Sequence, residues 1–258
     1  MAKFMEDCRI LTRRELSRGI IDLTLLAPGI ASAAHAGQFV NLFLLDRTRI
    51  LPRPISLCGI DRGEGTIRVV FRVTGEKRGT AELASYPAGT ELRVLGPLGN
   101  GFPEDLPDVT AVGGGIGVFP LLQLLKELPG KKEAVLGYRS SDALYLKEEF
   151  EAAAPLVIAT EDGSLGVCGT VIDALNAREK LPETILACGP MPMLRSLKAW
   201  AAERGVPLYV SVEARMACGV GACLGCVIRS TEVDGHSLVK NKRVCREGPV
   251  FRAEEVEL

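Results

Sequence analysis

Four cysteines near the carboxyl end carry the clearest chemistry in this sequence. Cys218, Cys223 and Cys226 share one glycine-rich stretch with the spacing C-x4-C-x2-C, and Cys245 stands apart from them. Three thiolates on one loop with a distant fourth is the plant-type spacing of a [2Fe-2S] cluster, and glycines let such a loop wrap closely around the sulfides. A structural zinc ion is the alternative, but zinc sites usually pair their cysteines in two short knuckles. The spacing therefore favours an iron–sulfur cluster over zinc.

Two segments of the first half could bind a flavin nucleotide. In Arg53-Pro54-Ile55-Ser56 the arginine can pair with a pyrophosphate, and the serine can hydrogen-bond a ring nitrogen that lies against the strand. Gly79-Thr80 opens a short predicted helix, where free N–H groups and a hydroxyl can meet a phosphate. Each segment alone is a weak signal, because the first is also a common solvated strand entry and the second a common N-cap.

Two glycine-containing turns of the second half could bind a second nucleotide. Gly113-Gly114-Gly115-Ile116-Gly117 lies between an apolar strand and a helix, where a phosphate can approach the backbone. It departs from the pattern G-x-G-x-x-G because Val118 holds the third glycine position, so a simple tight turn is an alternative. Cys188-Gly189-Pro190-Met191 follows another strand, at the carboxyl end where open sheets bind ligands. Cys188 has no basic neighbour in sequence to lower its pKa, which favours a packing role over a nucleophilic one.

The arrangement of predicted elements divides the chain into three parts. Residues 1–104 read as short strands separated by turn clusters, which is typical of an antiparallel β-barrel. Residues 105–212 alternate strands with helices and predict a doubly wound parallel α/β domain, with helices over 119–127 and 191–204 and a strand over 156–160. Residues 213–258 are rich in Cys and Gly, and we expect so short a segment to depend on its metal centre for order.

Composition narrows the class of protein. The 258 residues include 31 Lys and Arg against 32 Asp and Glu, a net charge of −1, and 47% are hydrophobic. This composition excludes a disordered chain or a coiled coil, and without a basic excess we expect neither nucleic acid nor an anionic membrane as partner. No apolar run approaches the roughly 18 residues that span a bilayer. We expect a soluble, cytoplasmic protein, and with only two histidines most histidine-based chemistry is improbable.

Four motifs, in order along the sequence, resemble the ferredoxin–NADP reductase superfamily over most of the chain. They are Arg53-Pro54-Ile55-Ser56, the run Gly-Pro-Leu-Gly-Asn-Gly-Phe at 96–102, the glycine turn at 113–117 and Cys188-Gly189-Pro190-Met191. The plant-type cysteine cluster that follows narrows the resemblance to the electron-transfer subunits of type 1B dihydroorotate dehydrogenases. These are similar to the present chain over nearly its full length.

The resemblance implies a function and a set of site residues. Arg53 would lie at the pyrophosphate of FAD and Ser56 near the flavin N5 atom. The further implied FAD contacts are Pro54, Ile55, Val70, Phe71, Arg72, Gly79 and Thr80. The implied NAD contacts are Gly114, Gly115, Gly117, Cys188, Gly189, Pro190 and Met191. The implied [2Fe-2S] ligands are Cys218, Cys223, Cys226 and Cys245.

The implied activity is a redox relay in pyrimidine biosynthesis. Dihydroorotate is oxidised on the FMN of a separate catalytic subunit, and two copies of each subunit form a heterotetramer. Electrons cross one at a time through the cluster to FAD, which passes a hydride to NAD⁺. No side chain of this chain is then required as a catalytic acid or base.

Two alternative functions stay open at the level of sequence. The first is the flavin/iron–sulfur subunit of an NAD(P)H–ferredoxin oxidoreductase or of a cytoplasmic hydrogenase, which would share every cofactor but not the partner. The second is a zinc-stapled binding module without redox activity. The choice of NAD over NADP also follows from the resemblance alone, because Arg139 could face a 2′-phosphate.

Overall fold

The computed structural model describes residues 2–76, 78–235 and 238–258, and it begins with a closed antiparallel barrel. The barrel strands are β1 (Phe4–Ser17), β2 (Ile20–Leu26), β3 (Phe39–Leu42), β4 (Arg53–Asp61), β5 (Thr66–Arg72) and β6 (Glu91–Leu98). They are hydrogen-bonded in the order β1-β2-β5-β4-β3-β6. The connections contain two short helices, α1 (Pro28–Ala33) and α2 (Gly79–Ser85). Alternate residues of β2, such as Leu23 and Leu25, fill the barrel core, as the period of two in a strand requires.

The second part is a seven-stranded sheet with helices on both faces. Its strands are β7 (Asp108–Gly114), β8 (Lys131–Tyr138), β9 (Leu156–Thr160), β10 (Val167–Cys168), β11 (Ile185–Cys188) and β12 (Leu208–Ser211), joined at one edge by a later strand. The helices are α3 (Phe119–Glu127), α4 (Lys147–Ala153), α5 (Val171–Asn176) and α6 (Met191–Arg204). Helices α3 and α4 cover one face, and α5 and α6 cover the other. The order β10-β9-β8-β7-β11-β12 is that of a doubly wound parallel sheet, so the predicted fold class is confirmed.

The structure places α3, α6 and β9 at the residues that the sequence predicts. It adds α4 and β12, which the sequence analysis does not identify. Only Phe150 is buried along α4, so its apolar period is too short to read. β12 has four residues, which is too few to show an alternation. Among the residues that the structure describes, no helix is long and apolar enough to cross a membrane.

The carboxyl-terminal part is attached to the sheet more firmly than the sequence suggests. A small hairpin of β13 (Val227–Arg229) and β14 (Asn241–Arg243) precedes β15 (Val250–Arg252), which pairs antiparallel with β12. Phe251 and Val256 are buried in the same core as α6. This segment therefore orders itself partly by apolar burial and strand pairing, in addition to any metal centre. A strand of three residues gives no periodic signal, which is why sequence reasoning overlooks it.

Buried polar contacts join the barrel to the α/β domain. Helix α3 lies between the sheet and β4, and its buried Gln123 accepts a hydrogen bond from the Ile60 N–H at 2.8 Å. Arg68 of the barrel donates to Asp22, which is 1% exposed, and to Glu149 of α4. Burial alone would lower the pKa of Arg68, but these hydrogen bonds raise it above its usual range. The charged arginine thus connects the two domains.

Arg68→Ala should lower the free energy of unfolding by about 2–4 kcal/mol, because it leaves the Asp22 carboxylate buried with less compensation. Urea unfolding at matched cofactor content measures the effect. Arg93→Ala is the control, since Arg93 forms an ion pair with Asp7 in which both side chains are mostly exposed, and it should cost less than about 0.5 kcal/mol. Equal losses for the two variants would show that the buried network does not stabilise the domain interface.

Candidate cofactor sites

The hairpin of β13 and β14 brings the distant fourth cysteine to the other three. Val227 pairs with Arg243 across the hairpin, so the residues on either side of this pair also meet. The Val244 N–H donates to the Cys226 carbonyl at 2.9 Å, and the Cys245 N–H donates to the Cys226 sulfur at 3.4 Å. Cys226 and Cys245 are both buried, at 3% exposure each.

The four cysteines lie in two different surroundings. Cys218 and Cys223 form an outer pair that is half-buried and exposed, respectively, whereas Cys226 and Cys245 form an inner pair that is buried in the core. Burial opposes ionisation of Cys218, but hydrogen bonds from the backbone of Val220 and from Cys223 outweigh it and lower its pKa to about 6. Burial, followed by the neighbouring Cys226 thiol, raises the pKa of Cys245 to about 12. Cys218 therefore readily gives a thiolate, whereas Cys245 needs the positive charge of a metal centre to do so.

This donor set fits a dinuclear cluster. Within the described ranges, no three His, Cys, Asp or Glu side chains converge in a group that could hold a metal ion. Two pairs of thiols match a [2Fe-2S] centre, in which four cysteines ligate two irons. Backbone N–H groups already point at sulfur, from Val220 to Cys218 at 3.5 Å and from Gly225 to Cys223 at 3.4 Å. Such hydrogen bonds are the ones that tune iron–sulfur centres.

The two predicted flavin segments that contain Arg53 and Gly79 lie together. The Arg53 guanidinium occupies the space beside Gly79 so closely that any Cβ atom at position 79 would overlap it. Arg53 also donates to the Leu51 and Pro52 carbonyl groups at 3.1 Å, which fixes its side chain at the entry of β4. The Thr80 hydroxyl accepts from the Thr74 N–H at 3.0 Å. An arginine beside the start of α2 could hold a phosphate group.

In the predicted flavin contacts Val70, Phe71 and Arg72, two of the three side chains are buried. Val70 and Phe71 are buried, at 6% and 3% exposure, in the two cores on either side of β5. Arg72 is exposed and lines a cavity together with Glu213. Of this segment, only the side chain of Arg72 faces open space where a ligand could bind.

That cavity has a volume of about 620 Å³ and lies at the carboxyl ends of the parallel strands. The predicted NAD contacts that line it are Gly114, Gly115, Gly117, Gly189 and Pro190. Cys188 lies beneath it at 2% exposure, and burial raises the pKa of its thiol to about 12, which supports the packing role. Met191 begins α6 next to Pro190 and is half-buried.

The two glycine turns that line the cavity pack directly against each other. A Cβ atom at position 117 would lie 2.5 Å from the Gly189 Cα atom, which is closer than carbon atoms approach. Gly115 has a φ of +55°, a left-handed conformation that favours glycine. These turns therefore need glycine for shape, and they line a space that could accept a nucleotide phosphate.

Sequence reasoning missed several residues that line the cavity. Tyr138 ends β8, Glu161 directly follows β9, and Glu213 lies two residues beyond the end of β12. Their common signal is position, since each lies at or just beyond the carboxyl end of a parallel strand, where open sheets bind ligands. Burial raises the pKa of Glu213, and nearby Arg72 partly offsets this effect. Arg139 also lines the cavity.

The cluster segment contacts the barrel as well as the sheet. The Asn41 side-chain amide of β3 donates to the Cys218 carbonyl at 3.0 Å. The Asn100 amide donates to the Glu247 carbonyl at 2.8 Å, and the Asn100 N–H donates to the Gly248 carbonyl. The run 96–102 of the sequence motif is therefore the part of the barrel that joins the segment following Cys245.

Comparison with known proteins gives concordant similarities. The family model for the iron-sulfur cluster binding domain of dihydroorotate dehydrogenase B matches residues 213–257. The chain is 41% identical to the dihydroorotate dehydrogenase B (NAD(+)) electron transfer subunit of Geobacillus kaustophilus over 261 residues, 98% of each chain. It is 36% identical to the protein of the same name from Fusobacterium nucleatum over 268 residues, 98% of this chain and 99% of that one. A solved NADH-dependent reduced ferredoxin-NADP oxidoreductase, studied for flavin-based electron bifurcation, superposes with a TM-score of 0.85 and 31% identity, covering 98% of this chain and 90% of that chain.

Gly117→Ala should weaken nicotinamide nucleotide binding by at least about tenfold, because the added methyl group forces the two glycine turns apart. Titration of flavin-loaded protein with NADH measures the affinity. Gly205→Ala is the control: this glycine also has a positive φ, of +65°, but nothing lies within 4 Å of an added Cβ atom. An unchanged affinity in the Gly117 variant would place the nucleotide elsewhere.

Proposed function

The chain belongs to the family of dihydroorotate dehydrogenase B (NAD⁺) electron transfer subunits, and we propose that it relays electrons from the FMN of a catalytic subunit to NAD⁺. It is an oxidoreductase subunit whose cofactors are FAD, a [2Fe-2S] cluster and NAD, as the sequence predicts. The observation that carries the proposal is the contact between the loop that contains Cys218 and the barrel, through the hydrogen bond from Asn41. One chain thus holds a one-electron site directly against a flavin-type barrel.

The chain's own residues bind and orient the cofactors. Bound FAD can exchange a hydride with NAD⁺ and single electrons with an iron–sulfur cluster, so it converts between the two kinds of transfer. Arg53 would neutralise the pyrophosphate of FAD, and the Ser56 hydroxyl would hydrogen-bond the flavin ring. The glycine turns would admit the NAD phosphates to backbone N–H groups. Buried Cys188 stays protonated at neutral pH, which agrees with a mechanism without a thiolate nucleophile.

The four cysteines would hold the cluster with one side toward the core and the other side toward the protein surface. Cys226 and Cys245 face the α/β core, and Cys223 faces the outside. A protein donor of single electrons must approach the exposed side, because the other side is covered by this chain.

We propose that the catalytic subunit docks on the cluster-loop surface, defined here as Val220, Leu224 and Val227. These apolar side chains are exposed, and Leu224 is 58% exposed between the ligands Cys223 and Cys226. Leu224 has a φ of +59°, a conformation that costs a non-glycine residue about 1–2 kcal/mol. An exposed leucine on such a backbone gains little in the isolated chain, whereas a docked partner would bury it.

The assembly we propose is a heterotetramer of two chains of each kind, acting in the cytoplasm. The relatives' name specifies an electron transfer subunit and so supports a partner subunit. The second candidate function is electron transfer with ferredoxin, and the similarity to the ferredoxin-NADP oxidoreductase favours it. Both functions use the same cofactors, so the partner distinguishes them.

Mixing the holo chain with an FMN-bearing catalytic subunit should give dihydroorotate-dependent reduction of NAD⁺, followed as NADH absorbance. Cys223→Ser should abolish this coupled activity and the iron–sulfur absorption while FAD stays bound, because one cluster ligand is lost. Cys168→Ser, which removes an exposed cysteine outside the cluster segment, should leave both unchanged. Coupled turnover at the normal rate in the Cys223 variant would contradict the relay, and no turnover with an active partner would favour the ferredoxin alternative.

Leu224→Glu should weaken binding of the catalytic subunit by at least about tenfold, since it places a charge in an apolar interface without changing the backbone cost at this position. Affinity is measured by titration of the two purified holo subunits, and cluster absorbance checks loading. Leu181→Glu is the control, because Leu181 is similarly exposed, at 55%, but lies in the α/β domain away from the cluster. Equal affinity for the two variants would exclude this surface as the docking site.

A further inference from the structure

Asn41 is a polar residue with no exposed surface at the boundary of two cofactor sites. It lies on β3 between Val40 and Leu42, both of which point into the barrel core. Its own side chain points to the outer face of the barrel, which the cluster segment covers, and it is 0% exposed. An apolar residue would fill such a place at lower cost, so the amide requires an explanation.

The Asn41 amide fits closely against the cluster loop. Its Nδ2 atom donates to the carbonyl of Cys218, one of the four predicted ligands, at 3.0 Å. A Cβ atom on Gly219 would lie 2.8 Å from the Asn41 Oδ1 atom and closer still to Nδ2, and Gly219 has a φ of +67°. The loop therefore needs glycine at position 219 both for its conformation and for the approach of this amide.

Only the nitrogen of the Asn41 side-chain amide has a hydrogen-bond partner. The Asn41 Oδ1 atom is buried and has no hydrogen-bond partner. Leaving a buried polar atom unpaired carries a desolvation cost, which offsets the modest gain from the single bond to Cys218. Asn41 therefore contributes little net stability, and its contribution is better understood as fixing the position of the loop.

Asn41 also lies next to the predicted flavin segment, through the pairing of β3 with β4. Asn41 is directly opposite Pro54 in the pairing of β3 with β4. Opposite residues of antiparallel strands lie about 4.5–5.5 Å apart at Cα. Pro54 belongs to the predicted flavin segment, two residues before Ser56. One hydrogen bond and one strand pair thus separate a cluster ligand from the segment predicted to bind FAD.

We infer that Asn41 is a positioning residue for electron transfer between the two redox centres. Its hydrogen bond to Cys218 holds the cluster loop at a fixed distance from the flavin-binding strands and so sets the rate at which single electrons cross. This inference rests on the proposed function, because it needs both centres in one chain. It adds a specific residue whose effect is on the transfer step rather than on hydride exchange or nucleotide binding.

The test separates flavin reduction from cluster reduction in the full holo chain without its partner. Under anaerobic mixing, NADH gives up a hydride and becomes NAD⁺, so two electrons reach the flavin, and one of them then passes to the oxidised cluster. Flavin bleaching reports the first step, and the paramagnetic signal of the reduced cluster in rapidly frozen samples reports the second. The signal's shape also reports the geometry of the ligands, independently of any activity.

Asn41→Ala removes the amide, and Asn41→Asp keeps its shape but replaces the donor with a carboxylate that repels the Cys218 carbonyl. Both variants should reduce the flavin at the wild-type rate, reduce the cluster about tenfold more slowly and alter its paramagnetic signal. Asn100→Ala is the matched control, because it removes an equivalent amide bond from the barrel to the same carboxyl-terminal segment, at Glu247. It should leave both rates and the signal unchanged.

Three outcomes would overturn the inference. Wild-type rates and signal shape in both Asn41 variants would show that the bond does not position the cluster. Equal slowing in the Asn100 variant would assign the effect to general loosening of the segment. Failure of both Asn41 variants, but not the Asn100 variant, to retain iron and sulfide would assign the residue to cluster assembly. A wild-type chain whose flavin is reduced while its cluster stays oxidised would instead contradict the proposed function itself.

Discussion

The antiparallel pairing of β12 with β15 is the contact on which the placement of the redox sites depends. The chain leaves the α/β sheet after Ser211, passes through all four cysteines, and returns to pair Val250 with that same Ser211. Both ends of the cluster segment are therefore fixed on one strand. The loop between them can be rich in glycine and irregular because its ends do not move, and Phe251 adds apolar burial at the point of return.

Close approach of backbone to another segment recurs at each candidate site. At the flavin segment the Arg53 guanidinium lies against Gly79, at the nucleotide cavity Gly117 lies against Gly189, and at the cluster Asn41 lies against Gly219. In each case the missing side chain makes room for the neighbouring group. The glycines therefore act mainly through shape, and the polar groups beside them supply the interactions with charged or sulfur-containing ligands.

The sequence predicts those parts of the molecule whose signal is local. The C-x4-C-x2-C spacing, the glycine turn after β7 and the helix over 191–204 are each contained within a short stretch, and the fold class follows from the order of such stretches. Asn41 and β15 could not be found in this way. Asn41 reads as an ordinary residue within a short strand, and the carbonyl it binds lies 177 positions away. Glu213 was also missed, because it lies just beyond β12, a strand of four residues that is too short to recognise from sequence.

The composition of the chain agrees with a relay in which cofactors carry the reaction. Nucleophilic catalysis by a thiol requires a pKa near neutral pH, and burial instead raises the pKa of Cys188, beneath the cavity, to about 12. Electron transfer requires instead that two centres be held close together and kept from moving. Rigid contacts between domains meet that need, such as Arg68 between Asp22 and Glu149 and the backbone bond from Asn100 to Gly248. Function in such a chain is therefore most sensitive to substitution of the residues that fix the distance between the redox centres. Many of these residues have no reactive chemistry of their own.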